Sequence, residues 1–182
     1  GSYLKSHHNI HANDYTAGTT DYPRQRRCFL GDEKGVVRTV NYINGSVLNE
    51  TNVHEGEISD ILFDEQNHIL ITSGHDSKIV ILHDRDGELH ELRSIENAHD
   101  GSIATIAYSH KLSIIISAGH KDGLFKVWGF QRFDLKSVAA SGVSDVNAIE
   151  IVEEYSLIGT ASVHGTCTLW KYNFLDTEEP YL

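Results

Sequence analysis

A short hairpin pattern that recurs along the chain constrains the fold more than any other feature. Its three clear copies are SGHDSKIVILHD (Ser73–Asp84), SAGHKDGLFKVW (Ser117–Trp128) and ASVHGTCTLW (Ala161–Trp170), and a fainter copy is GDEKGVVRTVN (Gly31–Asn41). The strand-ending residues of the four copies are spaced by 42, 46 and 42 residues; they are Val40, Leu82, Trp128 and Trp170. A period of about 40–45 residues is typical of the four-stranded blades of a β-propeller. We therefore predict an all-β chain that forms a propeller, or part of one, with about four antiparallel blades.

Short runs rich in β-branched residues predict the individual strands. In the second unit these runs are Ile58–Phe63, His68–Ser73 and Lys78–His83, and they are separated by turns. A weaker outer strand precedes each later unit, for example Ser46–Asn52. The first unit is the least regular, with Tyr3–His8 as its outer strand and Asp14–Thr20 as its innermost strand.

The repeats define a single repeat region that covers residues 1–182. Its approximate repeats are 3–43, 44–85, 86–131 and 132–175. We interpret residues 1–2, Gly-Ser, as a cloning scar and residues 176–182 as a tail, and we expect the sequence to be a fragment of a larger protein.

Charge and composition exclude several classes of protein. The chain has 15 basic and 26 acidic residues, a net charge of −11, so its average surface repels a nucleic-acid backbone. No run of about 18 apolar residues predicts a membrane span, and no signal peptide is recognisable. Cys28 and Cys167 are too few for a disulfide framework. We therefore expect a protein that binds neither nucleic acid nor membranes. We expect it to be intracellular and cytoplasmic, and an association with the cytoskeleton or a cilium is a more specific expectation.

These motifs resemble the WD-repeat family, in which a His, a Ser or Thr, an Asp and a Trp form a hydrogen-bonded structural tetrad within a blade. The first unit matches only at His11, and the second matches at His54, Thr72 and Asp76. The third unit matches at His99, Asp122 and Trp128, and the fourth at Thr160 and Trp170. A buried Asp needs hydrogen-bond donors, and imidazole and indole N–H groups supply them. The resemblance thus implies that these residues brace the blades rather than perform chemistry.

The chain departs from the family pattern at several tetrad positions. Ala118 occupies the hydroxyl position of the third unit, and Leu82 replaces the Trp of the second. In the fourth unit, His164 stands in place of the Asp and Gly142 in place of the His. The tetrad is therefore expected to be incomplete in every unit.

A narrower resemblance is to WD-repeat proteins of protists and motile cilia that also carry EF-hands. It rests on RRCFLGDEKGVVRTVNYINGSVL and HEGEISDILFDEQNHILITSGHDS. The nearest match to a calcium loop, HDRDGE (His83–Glu88), lacks the spaced carboxylates and predicts a hairpin turn. Calcium chemistry would belong to a segment outside this sequence.

Two constellations invite a chemical interpretation, and both are weak. His7, His8 and His11 lie close in sequence, but no Cys or acidic cluster completes a tetrahedral zinc set. Ser117, His120 and Asp122 crowd one hairpin rather than surround an exposed nucleophile. We therefore predict no enzyme activity, no metal and no cofactor.

The turns carry the predicted binding surface. In the family, one face of the propeller displays the residue before the tetrad Asp and two residues at the start of the innermost strand. Transferred to this chain, the partner-binding positions on this loop face are Asp14, Glu33, Glu57, Ser59, His75, Ser102, Lys121, Asp145 and Asn147, with Thr16, Ala104 and Val163 beside them. Its four acids favour a basic partner, although acids are also common throughout so acidic a chain.

Four blades are few for a ring, because an open arc exposes the apolar faces of its two end blades. Three solutions remain open: a piece of a larger propeller, two copies that pair into one eight-bladed ring, or four blades that close alone with Tyr3–His8 in the last blade. The function predicted first is a non-enzymatic protein-interaction scaffold. The alternatives are a structural segment for oligomerisation, with self-association through the open edges, and a module of a calcium-responsive EF-hand and WD-repeat protein.

Overall fold

A computed structural model describes residues 6, 10, 12–24, 26–85, 87–121, 123–140 and 145–171. Several predictions fall outside the described residues: the outer strand Tyr3–His8, the histidines His7, His8 and His11, and the tetrad positions Asp122 and Gly142. The predicted tail at residues 176–182 also lies outside them.

The described residues form four antiparallel sheets, which we number as blades 1 to 4. Blade 1 contains β1 (Tyr15–Thr20), β2 (Arg27–Asp32), β3 (Val36–Asn41) and β4 (Val47–Asn52). Blade 2 contains β5 (Ile58–Asp64), β6 (Ile69–Gly74), β7 (Ile79–Arg85) and β8 (Glu88–Ile95). Blade 3 contains β9 (Ile103–Ser109), β10 (Ile114–Gly119), β11 (Leu124–Gly129) and β12 (Leu135–Ala140). Blade 4 contains β13 (Val146–Val152), β14 (Leu157–Ser162) and β15 (Cys167–Lys171), with a 3₁₀ turn at Glu153–Tyr155.

The four sheets are arranged as the blades of a β-propeller, which confirms the predicted fold class. Each outer strand joins the three inner strands that precede it, so β4 completes blade 1 although it opens the second sequence repeat. The blades are thus offset from the sequence repeats by one strand. The proposed repeat boundaries themselves stay a prediction.

The central strands bury both faces, because a blade is covered on each side by a neighbour. All six residues of β6 and all six of β10 are buried, which explains why these strands are apolar runs rather than alternating ones. Three clusters of buried residues join blade 1 to blade 2, blade 2 to blade 3 and blade 3 to blade 4. Burial of this apolar surface is the main force that holds the blades together.

Polar side chains also cross between neighbouring blades. Asp60 of β5 accepts hydrogen bonds from the Thr105 hydroxyl at 2.9 Å and the Ile106 N–H at 3.1 Å. Arg27 of β2 makes a two-pronged contact with Asp84 of β7, at 3.0 and 2.6 Å. Each contact joins one carboxylate to two donor groups of the other blade, which restricts the position of one blade on the next.

Gly35 shows how closely the turn of blade 1 meets the next blade. Its φ is +83°, and a Cβ there would lie 2.0 Å from the carbonyl oxygen of His54. The Gly35 carbonyl accepts the N–H groups of Val53 and His54 at 2.9 and 3.0 Å. A residue with a side chain cannot occupy this position without moving the turn.

No helix in the described parts of the chain has the length and apolar character needed to cross a membrane.

Candidate functional site

In blade 2, His54 links a buried hydroxyl to a carboxylate. Its Nδ1 lies 2.9 and 3.1 Å from the two oxygens of Asp76, and its Nε2 lies 2.9 Å from the Thr72 Oγ1. Burial lowers the pKa of His54, so the ring is neutral at pH 7. Because the Asp76 carboxylate can only accept, the imidazole proton is assigned to Nδ1, and Thr72 then donates to Nε2. This arrangement holds the turn of β6–β7 against the start of blade 2.

In blade 3, Ser117 is the shared hydroxyl. It accepts the indole N–H of Trp128 at 2.8 Å and lies 2.9 Å from Nε2 of His99. Ser117 is fully buried, and His99 is 3% exposed. The prediction of Ala118 at the hydroxyl position is therefore wrong.

The length of the hairpin explains that error. Ser117 pairs with Lys126, nine positions later, whereas Thr72 pairs with Val80 and Thr160 with Thr168, eight positions later. The β10–β11 hairpin is thus one residue longer than its counterparts. A shift of one residue in a strand moves a side chain to the other face. Counting back from the tetrad Asp by the spacing of the other blades therefore selected Ala118 instead of Ser117.

Blade 4 keeps only part of the network within the described residues. The Trp170 indole N–H donates to the Thr160 hydroxyl at 3.0 Å. His164, which replaces the Asp, is 60% exposed and lies 3.6 Å from Asp145, so it belongs to the surface and not to the interior.

Blade 1 is braced by an ion pair that the sequence analysis missed. Asp32 is fully buried and accepts hydrogen bonds from Arg38 Nη1 at 2.6 Å and Asn13 Nδ2 at 2.8 Å. It also accepts the N–H groups of Lys34 and Val36, each at 2.9 Å. Arg38 is 2% exposed and reaches Glu50 at 3.1 Å with its Nε. The only sequence signal for this pair is an Asp that precedes a Gly-containing turn and an Arg within the apolar strand that follows.

The environment of Asp32 has a pH consequence. Burial alone would raise the pKa of Asp32, but hydrogen bonds from Arg38, Asn13, Val36 and Lys34 outweigh it and lower the pKa to about 2 from the ordinary 3.8. A carboxyl whose pKa is depressed by folding stabilises the protein above its unfolded pKa. We therefore expect the free energy of unfolding to fall by about 2 kcal/mol from this group as the pH drops from about 4 to 2.

Urea unfolding curves at pH 6 and at several values down to pH 2 measure this loss. The Asp32→Asn variant serves as the comparison, since an amide cannot titrate. If the variant and the wild type lose stability equally between pH 4 and 2, the assignment of this loss to Asp32 is wrong.

A repeated backbone contact builds the loop face. In each blade the turn after the second strand donates an N–H to the start of the innermost strand: Glu33 to Asp14 at 3.1 Å, His75 to Glu57 at 2.9 Å, His120 to Ser102 at 2.8 Å and Val163 to Asp145 at 3.1 Å. The predicted residues Asp14 and Glu33 thus form one pair and Glu57 and His75 another, while Ser102 and Asp145 accept from His120 and Val163. In blade 3 the equivalent residue is His120 and not the predicted Lys121, again because of the longer hairpin; Lys121 is the exposed residue beside it.

Two other predicted positions differ in accessibility. Ser59 is half-buried, and its hydroxyl lies 2.9 Å from the Ser73 hydroxyl within the same blade. Asn147 is exposed. Ser59 is therefore engaged inside blade 2, whereas Asn147 is open to a partner.

Histidines accompany the acids of the loop face. His75 Nδ1 lies 3.7 Å from Glu57, and Asp145 lies 4.0 Å from His120 and 3.6 Å from His164. In blade 1, Lys34 Nζ lies 3.7 Å from Glu33. The face is therefore a mixed surface of acids and imidazoles; the sequence analysis placed His75 on it but not His120 or His164.

The described residues do not assemble a hydrolase triad or a metal site. Ser117 is buried and hydrogen-bonded to His99 and Trp128, while His120 lies on the loop face. No group of three or more His, Cys, Asp or Glu side chains in the described ranges is placed to hold a metal ion.

The comparisons with known proteins agree with the fold. Residues 90–129 match the family described as WD domain, G-beta repeat. WD40 propeller domains are typically protein-interaction scaffolds and are usually non-catalytic. No characterised protein with a matching sequence was found.

Three solved structures are similar to this chain. The β-propeller domain of Cps50 (Swd1) from Myceliophteria thermophila has a TM-score of 0.78 and 13% identity, with 88% of this chain and 54% of that chain covered. The computationally designed Ika4 protein has a TM-score of 0.74 and 22% identity, with 94% and 98% covered. The designed Ika8 protein has a TM-score of 0.71 and 22% identity, with 86% and 45% covered. The chain thus spans about half the length of Cps50 and Ika8. None of these comparisons supports the EF-hand subgroup, which stays a prediction.

Proposed function

We propose that this chain is a non-enzymatic scaffold whose loop face binds a basic segment of a protein partner. The observation that carries the proposal is the repeated backbone contact from turn to innermost strand, which occurs in all four blades. It places side chains from every blade on one surface, and binding residues are often displayed on loops held by a rigid scaffold.

The charge of this surface supports a basic partner. Asp14 and Glu33 are exposed in blade 1, and Glu57 and Asp145 lie on the same face in blades 2 and 4. The net charge of −11 adds attraction over longer range. Opposite charge on a partner raises its association rate and favours it over acidic competitors.

The imidazoles add a second kind of contact. His75, His120 and His164 are each 44–60% exposed on this face, and a neutral imidazole can both donate and accept hydrogen bonds. A partner segment with Lys or Arg side chains and free backbone groups would match such a surface.

Charge reversal tests the proposal. We expect the triple variant Glu33→Lys, Glu57→Lys and Asp145→Lys to weaken the binding of a lysine-rich synthetic peptide by about tenfold or more, because three attractive charges become repulsive. Fluorescence anisotropy with the labelled peptide, at low and high salt, measures the change.

A matched control carries the same change of net charge elsewhere. Glu88 and Glu91 of the outer strand β8 and Glu154 of the turn after β13 are exposed, so their triple replacement by Lys alters the net charge but not the loop face. Equal weakening by both triple variants would show that overall charge alone attracts the peptide, and unaltered binding by the loop-face variant would refute the proposal.

An intracellular location and a calcium-responsive parent protein stay proposals without a supporting contact in the described residues.

A further inference from the structure

In blades 2 and 3, the residues on either side of the tetrad hydroxyl in the second strand contact the next blade. In blade 3 these residues flank Ser117 and form the register pairs Ile116–Val127 and Ala118–Phe125, all at most 1% exposed. In blade 2 the pair Ile71–Ile81, beside Thr72, is fully buried against blade 3. Since alternate residues of a strand point to opposite faces, these pairs mark the next-blade face of each sheet.

Blade 4 has the same positions, and no described sheet packs on them. The residues beside Thr160 form the pairs Gly159–Leu169 and Ala161–Cys167. Leu169 is 68% exposed and Cys167 is exposed, and none of the three hydrophobic clusters of described residues includes them. The last described sheet therefore presents Leu169 and Cys167 to solvent on its next-blade face, beside the exposed Glu150.

Blade 1 carries the kind of face by which the other blades contact the blade that precedes them. Blades 2, 3 and 4 meet the preceding blade through the pairs Leu70–Leu82, Ile115–Trp128 and Ile158–Trp170. The equivalent pair in blade 1 is Cys28–Val40. Val40 is buried, but Cys28 is only half-buried, and Thr20, which pairs with Cys28, is exposed.

We propose that a second copy of this chain docks on blade 4, so that its blade 1 continues the series of blade contacts and two copies close one eight-bladed ring. The exposed face of blade 4 and the partly covered opposite face of blade 1 are the two sides of one kind of interface, and that interface already occurs three times within the chain. Two head-to-tail contacts then close with a two-fold axis, which brings both end faces into contact at once.

Light scattering after size exclusion tests the proposal on the 182-residue chain. A mass of about twice 20.3 kDa is expected. Leu169→Glu places a charge in the interface and should raise the dimer dissociation constant by roughly tenfold or more, without lowering the melting temperature of the dilute monomer. Leu92→Glu is the control, since Leu92 is 53% exposed on the outer strand β8 and lies on neither end face.

Mixing two variants tests the head-to-tail geometry. Thr20→Arg should also weaken the dimer, because it alters the blade 1 face. A mixture of Leu169→Glu chains and Thr20→Arg chains can form one unaltered interface, and we expect it to dimerise more strongly than either variant alone. A wild-type mass of 20.3 kDa, an open series of larger species, or a dimer insensitive to Leu169→Glu would each overturn the proposal.

Discussion

Replacement of Arg38 by Ala is expected to destabilise the fold by about 3–5 kcal/mol, because it leaves the buried Asp32 carboxylate without its charged partner. Asp32 is fully buried and Arg38 is 2% exposed, so the carboxylate loses its charged partner in a place that is shielded from bulk water. A loss of this size is a large share of the stability of a typical domain.

A double-mutant cycle separates the charge from the packing. The Asp32→Asn and Arg38→Ala double variant removes the unpaired charge, so its cost should be clearly less than the sum of the single costs. Arg24→Ala is the surface control, since Arg24 is 59% exposed in its contact with Glu65 and should cost within about 1 kcal/mol. Urea unfolding monitored by tryptophan fluorescence measures all four variants, and equal costs for Arg38→Ala and Arg24→Ala would contradict the role of this ion pair.

The second large effect concerns the Ser117 hydroxyl of blade 3. Ser117→Ala would leave the Trp128 indole N–H and Nε2 of His99 without their common partner inside the protein. The desolvation penalty of buried polar groups left unpaired predicts a loss of about 1–3 kcal/mol.

The blade architecture could be predicted because local signals repeat. Strands of the Ile69–Gly74 kind are apolar and β-branched, and turns with Gly at positive φ, such as Gly165 (φ 79°), separate them. Such signals are carried by neighbouring residues, so they survive in a single sequence.

The details of the site could not be predicted, and the reasons are physical. Ser117 and Ala118 are neighbours on opposite faces of one strand. One extra residue in the hairpin decides which of them occupies the hydroxyl position of the tetrad. In the sequence, Asp32 and Arg38 resemble ordinary surface charges, and only the folded structure shows that they pair with each other in the interior. His164 matches a tetrad position in the alignment but lies on the surface beside Asp145.

The histidines of the described residues fall into two groups by location. His54 and His99 are buried within hydrogen-bonded networks, whereas His75, His120 and His164 lie on the loop face. Substitution in the first group should change stability, and substitution in the second group should change binding.

The most direct test of a structural role for the interior network is the free energy of unfolding of Ser117→Ala compared with that of Ser137→Ala. Both serines have a buried hydroxyl, but that of Ser137 has no hydrogen-bond partner in the described structure, so its removal should leave stability nearly unchanged. We predict a loss of about 1–3 kcal/mol for Ser117→Ala alone. Equal stability of the two variants would contradict it.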